Sequence, residues 1–251
     1  MPELNNIWKD IKLIQELTEY INKDWEKYSK STLYLINEYV LKQEIKKAKS
    51  ELVSQVIKNT FNKHNIMNVS VSDKDRESLE EKDFDEKAIE KYIVENYVKK
   101  ADELAFKEIL SQARKLLPKF WKGYKPRKPT VNEIVKNRKL ILEVYWYYLI
   151  IDWRNIDYIN ALDKLTRIVL RNIKPTQAIG RMGEIVNMID RYNDFAQAKL
   201  YEYGNGIIKS FRIYKNGKLE VLFYKKEDAR KIAEILITDN IDYDKFKSER
   251  S

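Results

Sequence analysis

The chain has 251 residues, of which 43% are hydrophobic and 12% aromatic, so it is long enough to bury a sizeable core. It has no cysteine and one histidine, which excludes disulfides, thiolate metal sites and sites built from several histidines. The formal net charge of +9 favours partners that carry negative charge.

Targeting features are absent from the sequence pattern. The N-terminal stretch lacks the basic start, apolar run and cleavage site of a signal peptide. The most apolar run, Leu140 to Ile151, is shorter than the roughly 20 residues that a membrane-spanning helix needs. Together with the lack of cysteine, this predicts a cytoplasmic protein that is neither secreted nor embedded in a membrane.

Residues 1–67 show helical spacing and predict an N-terminal helical region. The apolar positions of the first helix recur at steps of three, four and seven: Ile7, Ile11, Ile14, Ile21, Trp25 and Tyr28. We expect two or three helices with a shared apolar seam. The same helices are a candidate surface for binding other protein chains or for self-association.

Residues 68–88 contain eight acids, four bases and few apolar side chains, so we expect an acidic solvated linker. The carboxylates do not have the spacing of a calcium loop, and no glycine provides its turn, so no metal site is predicted. Helical spacing resumes over 89–117 and predicts a helix that joins the two halves and stops before Pro118.

Residues 118–130, PKFWKGYKPRKPT, form a basic, aromatic and proline-rich loop. They hold five positive charges, three aromatic rings and three prolines without an acid. Between Gln112 and Leu140 ten bases stand against the single acid Glu133, and ten minus one equals the whole net charge of the chain. This concentration suits a phosphate polymer, so the loop is interpreted as a hinge and as a binding surface.

Residues 131–251 are predicted to form a C-terminal α+β domain. Thr130 and Glu133 have the spacing of a capping box, which predicts a helix from Val131. The apolar run that follows predicts that this helix continues to Asp152 in the centre of a helical bundle.

Two shorter helices are expected next, at 157–172 and 176–192. From the first helix onward, basic residues recur at steps of three, four and three, which predicts a basic stripe formed by Lys164, Arg167, Arg171 and Lys174. In the second, Gly180 and Gly183 would allow another backbone to approach closely, which we interpret as packing.

From Ala196 the apolar period changes to two, and two Asn-Gly pairs predict a three-stranded antiparallel sheet. At the second turn, the favoured register pairs Ile213 with Leu219 and Phe211 with Val221. At the first, a two-residue turn would pair Leu200 with Phe211. A final amphipathic helix, 226–237, covers the apolar face, so the fold class is mainly α with an arrangement that resembles a winged helix or a βββα module.

The other face of the sheet alternates rings and cations, which suits base stacking and phosphate contacts. No phosphate-binding loop, dinucleotide motif or nucleophile elbow is present, so we predict no catalytic residue and no cofactor. The leading hypothesis is a non-enzymatic nucleic-acid-binding protein, with DNA favoured over RNA, whose loop and stripe contact phosphates.

The predicted nucleic-acid-binding residues come from the loop, the stripe and the sheet: Lys119, Trp121, Lys122, Tyr124, Lys125, Arg127, Lys128, Lys164, Arg167, Arg171, Lys174, Lys199, Tyr201, Arg212 and Tyr214. Two alternatives stay open. One is a structural or assembly protein, such as a scaffold or capsid-associated component, that binds protein chains through its N-terminal helices. The other is a metal-dependent nuclease, which needs only carboxylates and a lysine.

Overall fold

The computed structural model describes residues 4–28, 37–122, 125–144, 146–147, 150–151, 153–187 and 200–248. The chain folds as two compact units, one of Met1–Ile66 with Ser70–Lys100 and one of Met67–Val69 with Ala101–Ser251. It is mainly helical and contains an antiparallel sheet and a late helix, which confirms the predicted fold class. The basic loop at 118–130 lies inside the second unit.

The first unit is a small helical assembly. Its helices are α1 (Leu4–Tyr28), α2 (Glu38–Lys63), α3 (Asp73–Glu81) and α4 (Glu86–Asn96), followed by a 3-10 turn at Val98–Lys100. The α2 helix begins where the Asn37 side chain accepts hydrogen bonds from the backbone N–H groups of Tyr39 and Val40, at 3.1 and 3.3 Å. Its buried face includes Val53 and Val56, and the helix packs against α4.

The predicted apolar seam of α1 is partly wrong. Ile14 and Trp25 are exposed, and α1 instead buries Trp8, Thr18 and Asn22. Partners outside the helix select this face: the ring of Trp8 lies 6.1 Å from that of Phe84, and its Nε1 donates to Asp83 at 3.1 Å. Apolar spacing alone does not report such partners.

The segment 68–88, expected to be a solvated linker, instead contains α3 and the start of α4. The hydroxyl of Ser72 caps α3 by accepting from the Asp75 backbone N–H at 3.2 Å. Leu79 and Phe84 are both buried, so two apolar side chains anchor a segment that is otherwise charged. The acidic side chains of this segment are exposed or half-buried and form its outward face.

The second unit combines helices with one larger sheet and two short ribbons. Its helices are α5 (Ala101–Arg114), α6 (Val131–Ile134), α7 (Trp153–Arg171), α8 (Met182–Asn187), α9 (Lys226–Ile237) and α10 (Tyr243–Ser248). Its strands are β1 (Phe120–Lys122), β2 (Lys125–Arg127), β3 (Val135–Lys136), β4 (Lys139–Glu143), β5 (Trp146–Tyr147), β6 (Ile150–Ile151), β7 (Leu200–Glu202), β8 (Ile208–Ile213) and β9 (Lys218–Phe223).

The larger sheet is antiparallel and has the order β3-β4-β9-β8-β7, so the expected three strands gain β3 and β4. The β8–β9 hairpin has the predicted register, with Ile213 opposite Leu219 and Phe211 opposite Val221. These four side chains are buried, and α9 contacts β4 and β9, as expected for a cover on the apolar face.

The predicted register of the β7–β8 hairpin is wrong by one residue. Tyr201 lies opposite Phe211, and Leu200 lies opposite Arg212. The connection is longer than two residues because the Asn205 side chain accepts from the N–H groups of Ile207 and Ile208, at 2.9 and 2.7 Å. A slip of one residue exchanges the faces, so Tyr201 is buried and Leu200 is 48% exposed.

The long helix predicted over 131–152 is also wrong. Its start at Val131 is confirmed, but α6 ends after four residues and the chain continues into β3 and β4. Leu140, Leu142 and Val144 are buried at alternating positions, which is the two-residue period of a strand. An apolar run of this length fits a helix or a strand equally. Asn137, which has a left-handed conformation between β3 and β4, is a residue type that favours turns and was the sequence feature that indicated a strand pair here.

The helix predicted over 176–192 is shorter than expected. A 3-10 turn at Pro175–Gln177 precedes α8, and 188–192 lie outside the described residues. A Cβ atom on Gly180 would stand 2.3 Å from the backbone oxygen of Asn160, so this glycine lets the loop before α8 lie directly on α7. The interpretation of the glycine as a packing residue agrees with this geometry.

A buried carboxylate, that of Asp163 on α7, joins three parts of the second unit. It accepts hydrogen bonds from the Nε of Arg167 at 3.2 Å, from the amide of Asn205 at 3.1 Å and from the backbone N–H of Arg181 at 2.8 Å. The hydroxyl of Tyr203 is its fourth donor. Burial, reinforced by this bond, raises the pKa of Tyr203 to about 12.

Within the described part of the chain, no helix combines the length and the apolar character that crossing a membrane requires.

Replacing Asp163 by Ala should lower the free energy of unfolding by about 3–5 kcal/mol, because Arg167 would keep a partly buried charge without its partner. Asp239, which pairs with Lys128 on the surface, offers a matched control: Asp239→Ala should change stability little. Urea denaturation followed by circular dichroism compares the two variants. Equal stability of both would contradict the role assigned to Asp163.

Candidate nucleic-acid interface

A basic cleft of about 370 Å³ lies on the second unit. Its lining residues come from the end of α5, the turn that follows and the first turns of α7: Arg114, Lys115, Leu117, Lys119, Arg154, Asn155 and Tyr158. Four of these seven residues are cationic, and none of the described lining residues is acidic. Concave, low-dielectric surroundings strengthen the field of such a cluster.

The turn after α5 follows from its sequence. The backbone N–H of Lys115 donates to Gln112, that of Leu116 donates to Ala113, and Pro118 prevents the helix from continuing. Leu116 is fully buried, and its carbonyl accepts from the backbone N–H of Glu143 at 2.8 Å. Leu116 is thus anchored to β4, and its neighbours Lys115 and Leu117 line the cleft.

Arg114 is held in place by the end of α9. Its Nε donates to the carbonyl of Leu236 at 3.0 Å, and one terminal nitrogen contacts the carbonyls of Thr238 and Asp239. Burial lowers the pKa of Arg114, but an arginine stays protonated in any ordinary range of pH. The cleft therefore contains one cation whose position is fixed by the fold.

The start of α7 supplies the opposite wall. Arg154 is exposed, Asn155 is buried, and Tyr158 lies one turn further along the same helix and is half-buried. The N-terminal end of a helix carries partial positive charge, so this wall adds to the potential of the four cations. The arrangement can bind an anion and offers one aromatic ring beside it.

The predicted basic loop forms the β1–β2 ribbon next to the cleft. Arg127 is bound within the ribbon: it makes two bonds to Glu133, at 2.9 and 2.5 Å, and lies 5.0 Å from the ring of Phe120. Lys128 pairs with Asp239. Lys125 is exposed and has no ion-pair partner among the described residues. Two of the loop's cations are thus neutralised by acids of the same unit.

The cap of α6 and this ion pair share one carboxylate. Glu133 accepts from the backbone N–H of Thr130 at 2.8 Å as well as from Arg127. The Arg127 bond, followed by the Thr130 bond, lowers the pKa of Glu133 to about 2.

Four of the predicted site residues fall outside the described part of the chain: the side chains of Trp121 and Lys122 in β1, and the whole of Tyr124 and Lys199.

The predicted stripe on α7 does not form one continuous basic surface. Lys164 is half-buried and donates to the Asn68 side chain at 2.8 Å, and burial lowers its pKa. Arg167 binds Asp163, and Arg171 donates to the backbone carbonyl of Asn205. Lys174, beyond the helix, is exposed. The first three cations hold the fold together.

The sheet retains part of its predicted ring and cation pattern. The Arg212 and Lys218 side chains lie 5.9 and 4.8 Å from the ring of Tyr214. Tyr201 has left this face because of the register shift, and its ring stacks on Phe211 at 5.3 Å. The remaining face is a smaller candidate surface than the sequence predicted.

The residues that sequence reasoning did not select are Arg114, Lys115, Arg154 and Tyr158. The first two belong to the segment of concentrated charge but precede the loop on which the prediction concentrated. Arg154 and Tyr158 are four residues apart at the start of α7, so they share a helix face. No sequence pattern indicated that this face would meet the end of α5.

The described residues contain no group of three or more His, Cys, Asp or Glu that could hold a metal ion.

Removing the guanidinium in Arg127→Gln should raise the pKa of Glu133 from about 2 towards its ordinary value of 4.5. The folded pKa of Glu133 is depressed, so the stabilisation from this pair is present above pH 4.5 and is lost as the pH falls towards 2. Carboxyl ¹³C NMR titration measures the change. Lys128→Gln, which breaks only the pair with Asp239, should leave Glu133 unaltered, and an unchanged pKa in Arg127→Gln would contradict the assignment.

Comparison with known proteins adds no relative: the chain matches no protein-family model, no curated protein and no solved structure.

Proposed function

We propose that this protein binds nucleic acid without catalysing a reaction and that the basic cleft contacts the phosphate backbone. The observation that supports this proposal is the grouping of four cations in one concave surface whose described lining contains no acid. Neutralising phosphates with lysine and arginine releases condensed counterions, which provides affinity without reading the sequence.

The chemistry of the cleft favours phosphate over a protein carboxylate surface. Arginine presents a planar set of donors that matches phosphate oxygens, and the cleft has an arginine on each wall, Arg114 and Arg154. Lys115 and Lys119, which are exposed, line the same cleft and add to its positive charge. Lys125, at the far end of the ribbon that follows Lys119, is a further exposed cation.

The number of cations sets the expected strength of the salt effect. About four phosphate contacts predict a slope of roughly −3 to −4 for the logarithm of the binding constant against that of salt concentration. Raising the salt from about 50 to 200 mM would then weaken binding by about a hundredfold.

The matched test compares two triple variants with the same loss of charge. Lys115→Gln, Lys119→Gln and Arg154→Gln together should weaken binding to a labelled 20-nucleotide DNA and make the salt slope shallower by about 3. The control replaces three exposed lysines of the first unit, Lys9, Lys23 and Lys58, by Gln and should keep most of the slope.

Fluorescence anisotropy at several salt concentrations gives both quantities. Equal effects of the two triple variants would show that net charge, rather than the cleft, drives binding. Failure of the wild-type chain to bind duplex DNA, single-stranded DNA and RNA at low salt would end the proposal.

A second candidate function, assembly with protein chains, is favoured by an exposed apolar ridge on α1. Leu13, Ile14, Leu17 and Tyr20 are 63, 55, 56 and 64% exposed. Large contiguous apolar patches on a surface mark sites of association. Charges of both signs are close by on α1, so a second copy of the chain could pair with the ridge without net repulsion.

Self-association through the ridge should make the wild-type chain dimeric or larger in solution, and Leu17→Glu should return it to a monomer, because burying a carboxylate in an apolar contact is costly. Leu200→Glu alters a leucine of the sheet that is 48% exposed and serves as the control. Sedimentation velocity measures the state of each variant. A monomeric wild-type chain at high concentration would contradict this second function.

A further inference from the structure

The size of the basic cleft restricts what it can hold. At about 370 Å³ it is at the lower end of the range for clefts that enclose small molecules, roughly 300–1,000 Å³. Proteins read the bases of a duplex with an element that protrudes into the major groove, which is about 12 Å wide. A concave surface cannot enter that groove. Rigid duplex phosphates would touch the rim, whereas one unstacked nucleotide could enter.

The cleft wall is chemically mixed. Leu117 and the half-buried ring of Tyr158 line it together with the four cations. A base stacks on an aromatic ring while its phosphate pairs with cations, and this combination is typical of single-strand binding sites. Both side chains also pack against the hydrophobic core of the second unit, so the core holds the apolar part of the cleft in place.

The β1–β2 ribbon follows the cleft residue Lys119 directly in the chain. The β1–β2 ribbon begins at Phe120, the residue after Lys119, and presents Lys125 and Pro126 as exposed side chains. Arg127 and Phe120 stabilise one another on the same ribbon. Lys125 pairs with Lys122 at the end of the ribbon that is farther from Lys119.

We infer that the basic cleft binds one unstacked nucleotide of a single strand, with the base against Tyr158 and Leu117 and the phosphates on the surrounding cations. This inference rests on the proposed function and makes it narrower. It assigns Tyr158 as a residue that distinguishes single-stranded from duplex nucleic acid.

The first experiment uses the full chain and two labelled probes, a single-stranded dT20 and a 20-base-pair duplex, at the same low salt concentration. The single strand should bind at least about tenfold more tightly. Duplex binding that is equally tight or tighter, and that weakens in the Lys115, Lys119 and Arg154 variant, would overturn the inference and leave the proposed function standing. Absence of binding to both probes would remove both.

The second experiment tests Tyr158 itself. Tyr158→Leu keeps an apolar side chain but removes the ring, and it should weaken dT20 binding by about tenfold while duplex binding changes little. Tyr158→Phe keeps the ring and should bind dT20 as the wild type does.

Tyr224, which is 44% exposed and does not line the cleft, gives the control Tyr224→Leu. A loss in Tyr158→Leu no greater than in this control would overturn the assignment, as would a full loss in Tyr158→Phe. Circular dichroism verifies that each variant is folded. If Tyr158→Leu does not fold, the ratio of the two wild-type affinities and the Tyr158→Phe result still decide the question.

Discussion

Burying the carboxylate of Asp163 imposes a constraint on the whole second unit. A charge removed from water is tolerated only when donors surround it, and here four donors come from α7, from the residue before α8 and from the β7–β8 connection. These parts must therefore meet at one point. Asn205, which contacts Asp163, also shapes the connection that sets the register of β7.

The same helix determines the geometry of the candidate site. α7 packs along α5, and its first turns bring Arg154 and Tyr158 to the turn after α5. Gly180 adds to this arrangement by allowing the loop before α8 to lie on the backbone of α7. A cleft of this kind depends on the packing of two helices that are about forty residues apart in sequence, so its shape is as stable as the core beneath it.

The basic residues of this chain contribute to the fold and to the cleft, and Arg114 contributes to both. Arg127, Lys164, Arg167 and Arg171 bind groups of their own chain, and such bonds fix loops and helix faces. The cleft keeps four cations together without an acid among its described lining residues. A net charge located in the sequence is therefore an upper limit on the charge offered to a partner, because folding brings distant acids to some of the cations.

Local rules determined a good part of this protein in advance. The β8–β9 register followed from alternating apolar residues around a glycine turn, the start of α6 from Thr130 and Glu133, and the end of α5 from Pro118, since each depends on residues near one another in the chain. The run from Leu140 to Val144 was ambiguous because helix and strand bury an apolar stretch equally well, and pairing with β9 decided it. The tertiary structure decided three further features: which cations are neutralised, which face of α1 is buried, and the formation of a cleft by α5 and α7. Each of these depends on groups that are distant in sequence and come close only after folding.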